Sequence, residues 1–356
     1  MLKVLFTYDY ELFLGENHAS AKEVLFEPTE KIAIAMKNDG AHGVFFADVC
    51  SAIRHREEGL GEYSDSFDEQ LKVLTKNGHD VQLHLHPNWY NSKREGDSIK
   101  VSPKGYKIHE FGFDAKTFRS VPNIISETKE YLESVCSQAK SSYRCVAYRA
   151  GGFCVQPEQE LFEALLNAGI VIDSSVNPHL YSLNTVNSYD FRSVPKQLNW
   201  VINPKEGISV ASSKGILEIP IGTARLRPIE MIGHRLNEYK LPAACLKGEY
   251  VKSEGGGSAK VPKAKSLFRR LFAYRNLSLD TRTYTALFND LEYIYKKHKL
   301  KENDQYVCLL CHPKLADQTR IDNIRYMIQE LNNCPDKYQI VTCADVYDDA
   351  VERGVL

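Results

Sequence analysis

The sequence predicts an α/β fold, a distorted (β/α) barrel of seven to eight mostly parallel strands with helices outside. Short β-branched apolar runs alternate with helical patterns along the chain, and polar residues fit for chemistry recur at the same end of those runs. Hydrophobic residues make up 43% of 356 positions, enough for one sizeable core. A doubly wound open sheet satisfies the same alternation and stays open as an alternative.

Strands are expected at Leu2 to Thr7, Gly43 to Asp48, Asp80 to His86, Cys145 to Arg149, Gly169 to Asp173, Ile216 to Pro220, Tyr306 to Cys311 and Tyr338 to Thr342. Helices are expected at 29–38, 65–76, 123–138, 158–167, 281–298 and 321–332. Two stretches break the rhythm. Residues 87–121, rich in Tyr, Lys, Gly and Pro, read as a long loop over the barrel mouth. Residues 222–305 read as a helical and loop insertion that includes the flexible run Glu254-Gly255-Gly256-Gly257-Ser258-Ala259. No internal repeat is visible, so residues 1–356 are taken as a single barrel domain carrying that insertion.

Lysine and arginine number 45 against 46 acidic residues, so no global field favours nucleic acid or a membrane. No stretch approaches the ~18 uninterrupted apolar residues of a membrane span, and the first residues lack a secretory pattern. Nine cysteines, an odd number, lie in strand-like segments. Cys308 and Cys311 form C-x-x-C, but three residues apart in a strand they face opposite sides. Reduced structural thiols in a cytoplasmic protein are the expectation.

The polar residues that end the strands are Asp9 and Glu11, Asp48, His84 and His86, Arg149, Asp173 and His312, with Glu218 inside the sixth run. In a barrel of parallel strands these ends share one face, where such folds build their sites. In His84-Leu85-His86 both imidazoles face one side. Taken alone, such a pair is more often a hydrogen-bonding feature of a strand. Joined by His312 and the Asp9/Glu11 pair, it reads as a metal site, because divalent metals favour imidazole nitrogen completed by a carboxylate. A second carboxylate then serves as general base and His312 as general acid. Arg149 is expected to pair with the base, and Asp173 to orient or charge-stabilise His312. For Arg149 and Asp173 an ion pair at the barrel rim is an equal alternative.

These motifs resemble those of the polysaccharide deacetylases (carbohydrate esterase family 4), in their divergent branch associated with surface-polysaccharide biosynthesis. Thr7-Tyr8-Asp9-Tyr10-Glu11 is similar to the family's first motif, which supplies a catalytic base and a metal-binding carboxylate. Gly78 to Pro87 is similar to the second, which supplies two metal-binding histidines, and Tyr148-Arg149-Ala150-Gly151-Gly152 to the third, whose arginine positions the base. Ile172-Asp173-Ser174-Ser175 resembles the fourth, and Leu309-Leu310-Cys311-His312-Pro313 the fifth, with its general-acid histidine. The family usually has adjacent aspartates and wider histidine spacing than this chain. The resemblance implies a metal-dependent N-deacetylase of an amino sugar in a glycan precursor. Asp9 would be the base, Glu11, His84 and His86 the ligands of one divalent ion, and the two carboxylate roles are exchangeable. Zinc is the first expectation; cobalt, nickel and iron are alternatives.

Trp89, Tyr90 and Tyr106 are candidates for stacking on sugar, and Asp48 and Asn88 for lining the pocket. A lid that merely packs on the barrel is equally consistent. Lys260, Lys263, Lys265, Arg269, Arg270 and Arg275, interleaved with Leu267, Phe268, Leu271 and Phe272, form a basic run. Such a run lies against an anionic membrane surface, or grips the diphosphate of a nucleotide- or lipid-linked sugar, less often than it packs on its own domain. Two other readings of the whole are an iron oxygenase with two histidines and a carboxylate, and a non-catalytic glycan-binding relative.

Overall fold

The computed structural model describes residues 1–14, 16–17, 20–184, 186–225, 240–244, 250–251, 274–300, 304–354 and 356. Nine strands form the main sheet: β1 (Leu2–Tyr10), β2 (Val44–Asp48), β3 (Asp80–Leu85), β4 (Ala147–Ala150), β5 (Ile172–Asp173), β6 (Trp200–Ile202), β7 (Ile216–Glu218), β8 (Gln305–Cys311) and β9 (Tyr338–Ile340). Their order is β6-β7-β5-β4-β3-β2-β1-β8, and every pairing except β6–β7 is parallel. Strand β9 runs parallel to the start of β1, at Leu2–Val4, while β2 pairs with its end, at Thr7–Tyr10.

The sheet curls until its edges meet. Ile221, just past β7, forms a parallel bridge with Cys308 of β8, and the Gly222 N–H donates to the Cys308 carbonyl at 2.9 Å. Lower in the seam Asn199, next to β6, accepts from the Tyr306 N–H (2.7 Å) and donates to the Tyr306 carbonyl (2.9 Å). The fold is thus the expected distorted barrel with helices outside, and the open-sheet alternative falls.

Among the described residues eight α-helices cover or adjoin the sheet: α1 (Glu27–Asn38), α2 (Val49–Glu57), α3 (Gly61–Lys76), α4 (Val121–Cys136), α5 (Gln159–Asn167), α6 (Tyr284–Lys297), α7 (Gln318–Asn332) and α8 (Cys343–Glu352). They bury residues at helical spacing, such as Phe67, Leu71 and Leu74 on α3. Alternation along the strands divides the core in two. Val4, Phe6 and Tyr8 join the large cluster with the helices, whereas Leu5, Phe46, Ala147, Ile172, Leu217, Ile219 and Cys308 form a separate cluster. Helix α8 joins that second cluster through Val346 and Ala350. Continued by two residues at a time, the Leu5 face carries Thr7, Asp9 and Glu11, and the Phe46 face carries Asp48.

The eight described cysteines are free thiols, seven of them buried, and Cys308 and Cys311 fall in different core clusters. Among the described residues no helix is long and apolar enough to cross a membrane. Most of 222–280, with Lys260, Lys263, Lys265, Arg269 and Arg270, lies outside the described residues. Arg275 is placed in a short strand, Tyr274–Asn276, that pairs antiparallel with Thr223–Arg225.

Candidate active site

The parallel register sets the polar strand ends level. Asp48 lies opposite His84 and His84 opposite Arg149; Tyr148 lies opposite Asp173 and Asp173 opposite Glu218. Above this row opens a cavity of about 380 Å³ whose wall includes Asp9, Glu11, His84, His86, His312 and Lys314.

Glu11, His84 and His86, all buried, bring one donor atom each within 4.8 Å of the others. Glu11 Oε2 lies 2.5 Å from His86 Nε2 and 3.2 Å from His84 Nε2. The Nδ1 of His84 sits 2.8 Å from the Arg149 carbonyl, which accepts only, so that nitrogen carries the proton. A neutral His84 therefore turns a lone pair on Nε2 towards a carboxylate oxygen. Two electron-rich atoms face each other, an arrangement that a cation between them relieves. A proton does so by making His84 imidazolium, and its pKa is indeed raised: burial opposes the charge, but Glu11, Asp9 and Asp48 outweigh it. A divalent metal fits as well, since two imidazole nitrogens and one carboxylate oxygen suit a borderline ion with open positions.

Asp9 stands apart from that trio. Its Oδ1 accepts from Arg149 Nη1 at 2.6 Å, and its Oδ2 faces His312 Nε2 at 3.6 Å. Arg149 is wholly buried, held by the Ser174 carbonyl and by the Ser174 and Thr7 hydroxyls, with its guanidinium 4.2 Å from the Phe46 ring centroid. Burial alone raises the Asp9 carboxyl, but Arg149, His84 and His312 together hold it below its ordinary value. Glu11 is lowered further: against burial act Lys314, whose Nζ donates to Oε1 at 2.6 Å, and the two histidines.

His312 differs from expectation in its partner. Its Nδ1 faces Asp280 Oδ2 at 2.7 Å, and its backbone N–H donates to Asp280 Oδ1 at 3.0 Å. Asp173, expected there, instead accepts from the Ser175 hydroxyl at 2.7 Å and bonds to Glu218. The physical reason is register: Asp173 is aligned with Tyr148 and Glu218 on the far side of Arg149, whereas Leu277–Asp280 runs beside β8. Burial, then the neighbouring Asp173 charge, push Glu218 well up.

The aromatic loop also departs from expectation. Asp48 accepts from the His86 backbone N–H (3.2 Å) and the Trp89 indole (2.6 Å), so it shapes the turn after β3 and does not line the cavity. Trp89 is 2% exposed, and Asn88 is wholly buried with its amide donating to the Ser102 carbonyl. Tyr90 packs under Arg119, 3.8 Å from the ring centroid, and donates to Glu127. Of the loop's candidates only Tyr106 reaches the cavity wall. Sequence reasoning missed Asp280 and Lys314. The alternating Leu277-Ser278-Leu279-Asp280 was a strand-like signal for the first, and the second lies two residues past His312.

No family model matches the chain, and no curated protein matches it. Among solved structures it is similar to a putative polysaccharide deacetylase from Mycobacterium smegmatis at 14% identity, covering 100% of this chain and 92% of that one with a TM-score of 0.49. It is also similar to a probable polysaccharide deacetylase from Pseudomonas aeruginosa PAO1 at 12% identity, with the same coverage and a TM-score of 0.47.

Proposed function

We propose that the chain is a metal-dependent hydrolase that removes an acyl group, the N-acetyl of an amino sugar in a glycan precursor. The observation that carries the reading is the convergence of His84 Nε2 and His86 Nε2 on one oxygen of the buried Glu11 carboxylate, in the wall of an open cavity. Glu11, His84 and His86 would hold one divalent ion, zinc before cobalt, nickel or iron. When bound, such an ion supplies Lewis acidity, acidifying water and polarising a carbonyl.

The protein's own groups do the rest. Arg149 occupies Oδ1 of Asp9 and keeps the carboxylate charged, leaving Oδ2 as the base that takes the water's proton. His312 Nε2, 3.6 Å from that oxygen, delivers a proton to the departing nitrogen. Asp280 holds the opposite ring nitrogen and balances the imidazolium. Tyr106 and Asn187, on the cavity wall, are placed to meet the sugar. Surface-polysaccharide biosynthesis, a cytoplasmic location, one domain over 1–356 and a nucleotide- or lipid-linked substrate belong to the same proposal; the buried thiols favour a reducing compartment.

The test is acetate release from N-acetylated amino sugars by the wild type and Asp9→Asn. The variant should fall by about 10²–10⁴-fold while keeping metal, since Asp9 is not among the three donors. Undiminished turnover in Asp9→Asn would transfer the base role away from Asp9. Turnover that instead consumes oxygen would favour the iron oxygenase, which shares the donor set.

A further inference from the structure

Glu11 is a carboxylate with its two oxygens assigned to different neighbours. Oε2 faces His84 and His86, while Oε1 takes a 2.6 Å hydrogen bond from Lys314 Nζ. The ammonium is anchored a second time, on the Leu12 carbonyl at 3.2 Å, and lies 5.3 Å from the Phe13 ring centroid. Its backbone is fixed by the 3₁₀ turn Pro313–Leu315 directly after β8. Asp9 repeats the pattern, with Arg149 on Oδ1 and Oδ2 left towards the cavity. In each pair a cation holds one carboxylate oxygen and so aims the other.

We infer that Lys314 is a positioning residue that restricts Glu11 to a single metal-coordinating oxygen, keeping a coordination position open for water and the substrate carbonyl. The inference rests on the metallohydrolase reading. A carboxylate that chelates with both oxygens fills two positions, and with two imidazoles it leaves a less open ion. The ammonium's bond to Oε1 competes with chelation. Its charge also repels a divalent ion a few ångströms away, so Lys314 trades affinity for openness.

The experiment uses cobalt(II), whose visible spectrum reports coordination number, on the full chain and on Lys314→Met and Lys314→Arg. In Lys314→Met the absorption should weaken as coordination rises, and cobalt should bind about tenfold more tightly. Lys314→Arg, which keeps charge and donor, should retain the wild-type spectrum. Should Lys314→Met fail to fold, Lys314→Gln removes the charge with a polar side chain and is read in the same way. A neutral variant that matches the wild type in spectrum and affinity, whatever its melting temperature, overturns the inference and leaves the metal reading standing. A wild type that takes up no cobalt overturns both.

Discussion

At the end of β1, Asp9 in the strand and Glu11 just past it stand two residues apart, yet their surroundings separate them. Arg149 pairs with Asp9, and Lys314, His84 and His86 with Glu11, while His312 Nε2 lies between the two, 3.6 Å from Asp9 and 3.9 Å from Glu11. The sequence showed two carboxylates that could exchange roles, because spacing fixes a face and not which cation each will meet. Asp280 was less legible still, for it joins His312 across 32 residues. Its effect gives a prediction. Burial lowers the His312 pKa, but the Asp280 charge and hydrogen bond, with Asp9, more than restore it and leave it raised, Lys314 opposing. As an acid His312 must be protonated, so the alkaline limb of the activity profile follows that pKa. In Asp280→Asn the raising charge is gone, and the alkaline limb of kcat/KM should move to lower pH. A limb that stays in place would separate Asp280 from the proton delivery.

Among the elements, the third strand and the turn after the fourth meet closely at the site. The His84-Leu85-His86 alternation was readable because two-residue periodicity is a property of any strand. Invisible in the sequence was the tightness of the β3–β4 junction. A Cβ on Gly151 would stand 2.5 Å from the Leu85 carbonyl and 2.6 Å from His86 Nδ1. Gly151→Ala should therefore push the His86 ring, lower stability by about 1–3 kcal/mol in urea titration and weaken metal retention. Unchanged stability and metal content would show that the junction yields freely. Of the aromatic candidates, Trp89 packs inside while Tyr106 reaches the cavity wall. Asp48 draws the Trp89 indole inward, and sequence alone does not tell an aromatic side chain that packs from one that waits for a ligand. Helices α2 and α8 both escaped notice: Arg54, His55 and Arg56 follow the apolar start of α2, and the Thr342/Asp345 capping pair that opens α8 was the signal available for the second.

For the molecule as a whole, the alternation of strands and helices was legible in the sequence, and the strand order and the way the barrel closes were not. Trp200–Ile202 is too short to declare itself a strand, and it pairs antiparallel at the seam. There Asn199 serves both backbone groups of Tyr306 as a strand would. Asn199→Ala leaves both without that partner and should cost about 1–3 kcal/mol, seen as a lower urea midpoint; no change would mean that the bridge at Ile221 suffices for closure. Closure matters because it sets Asp9, Glu11, His84, His86 and His312 around one cavity, with Arg149 buried beside Asp9. The central claim, that three of them hold a metal, is tested most directly by elemental analysis of the purified protein beside His84→Ala. One divalent ion per chain in the wild type, lost in the variant, is the predicted result. Full occupancy in His84→Ala, or a wild type that takes up none of zinc, cobalt or nickel, would contradict it.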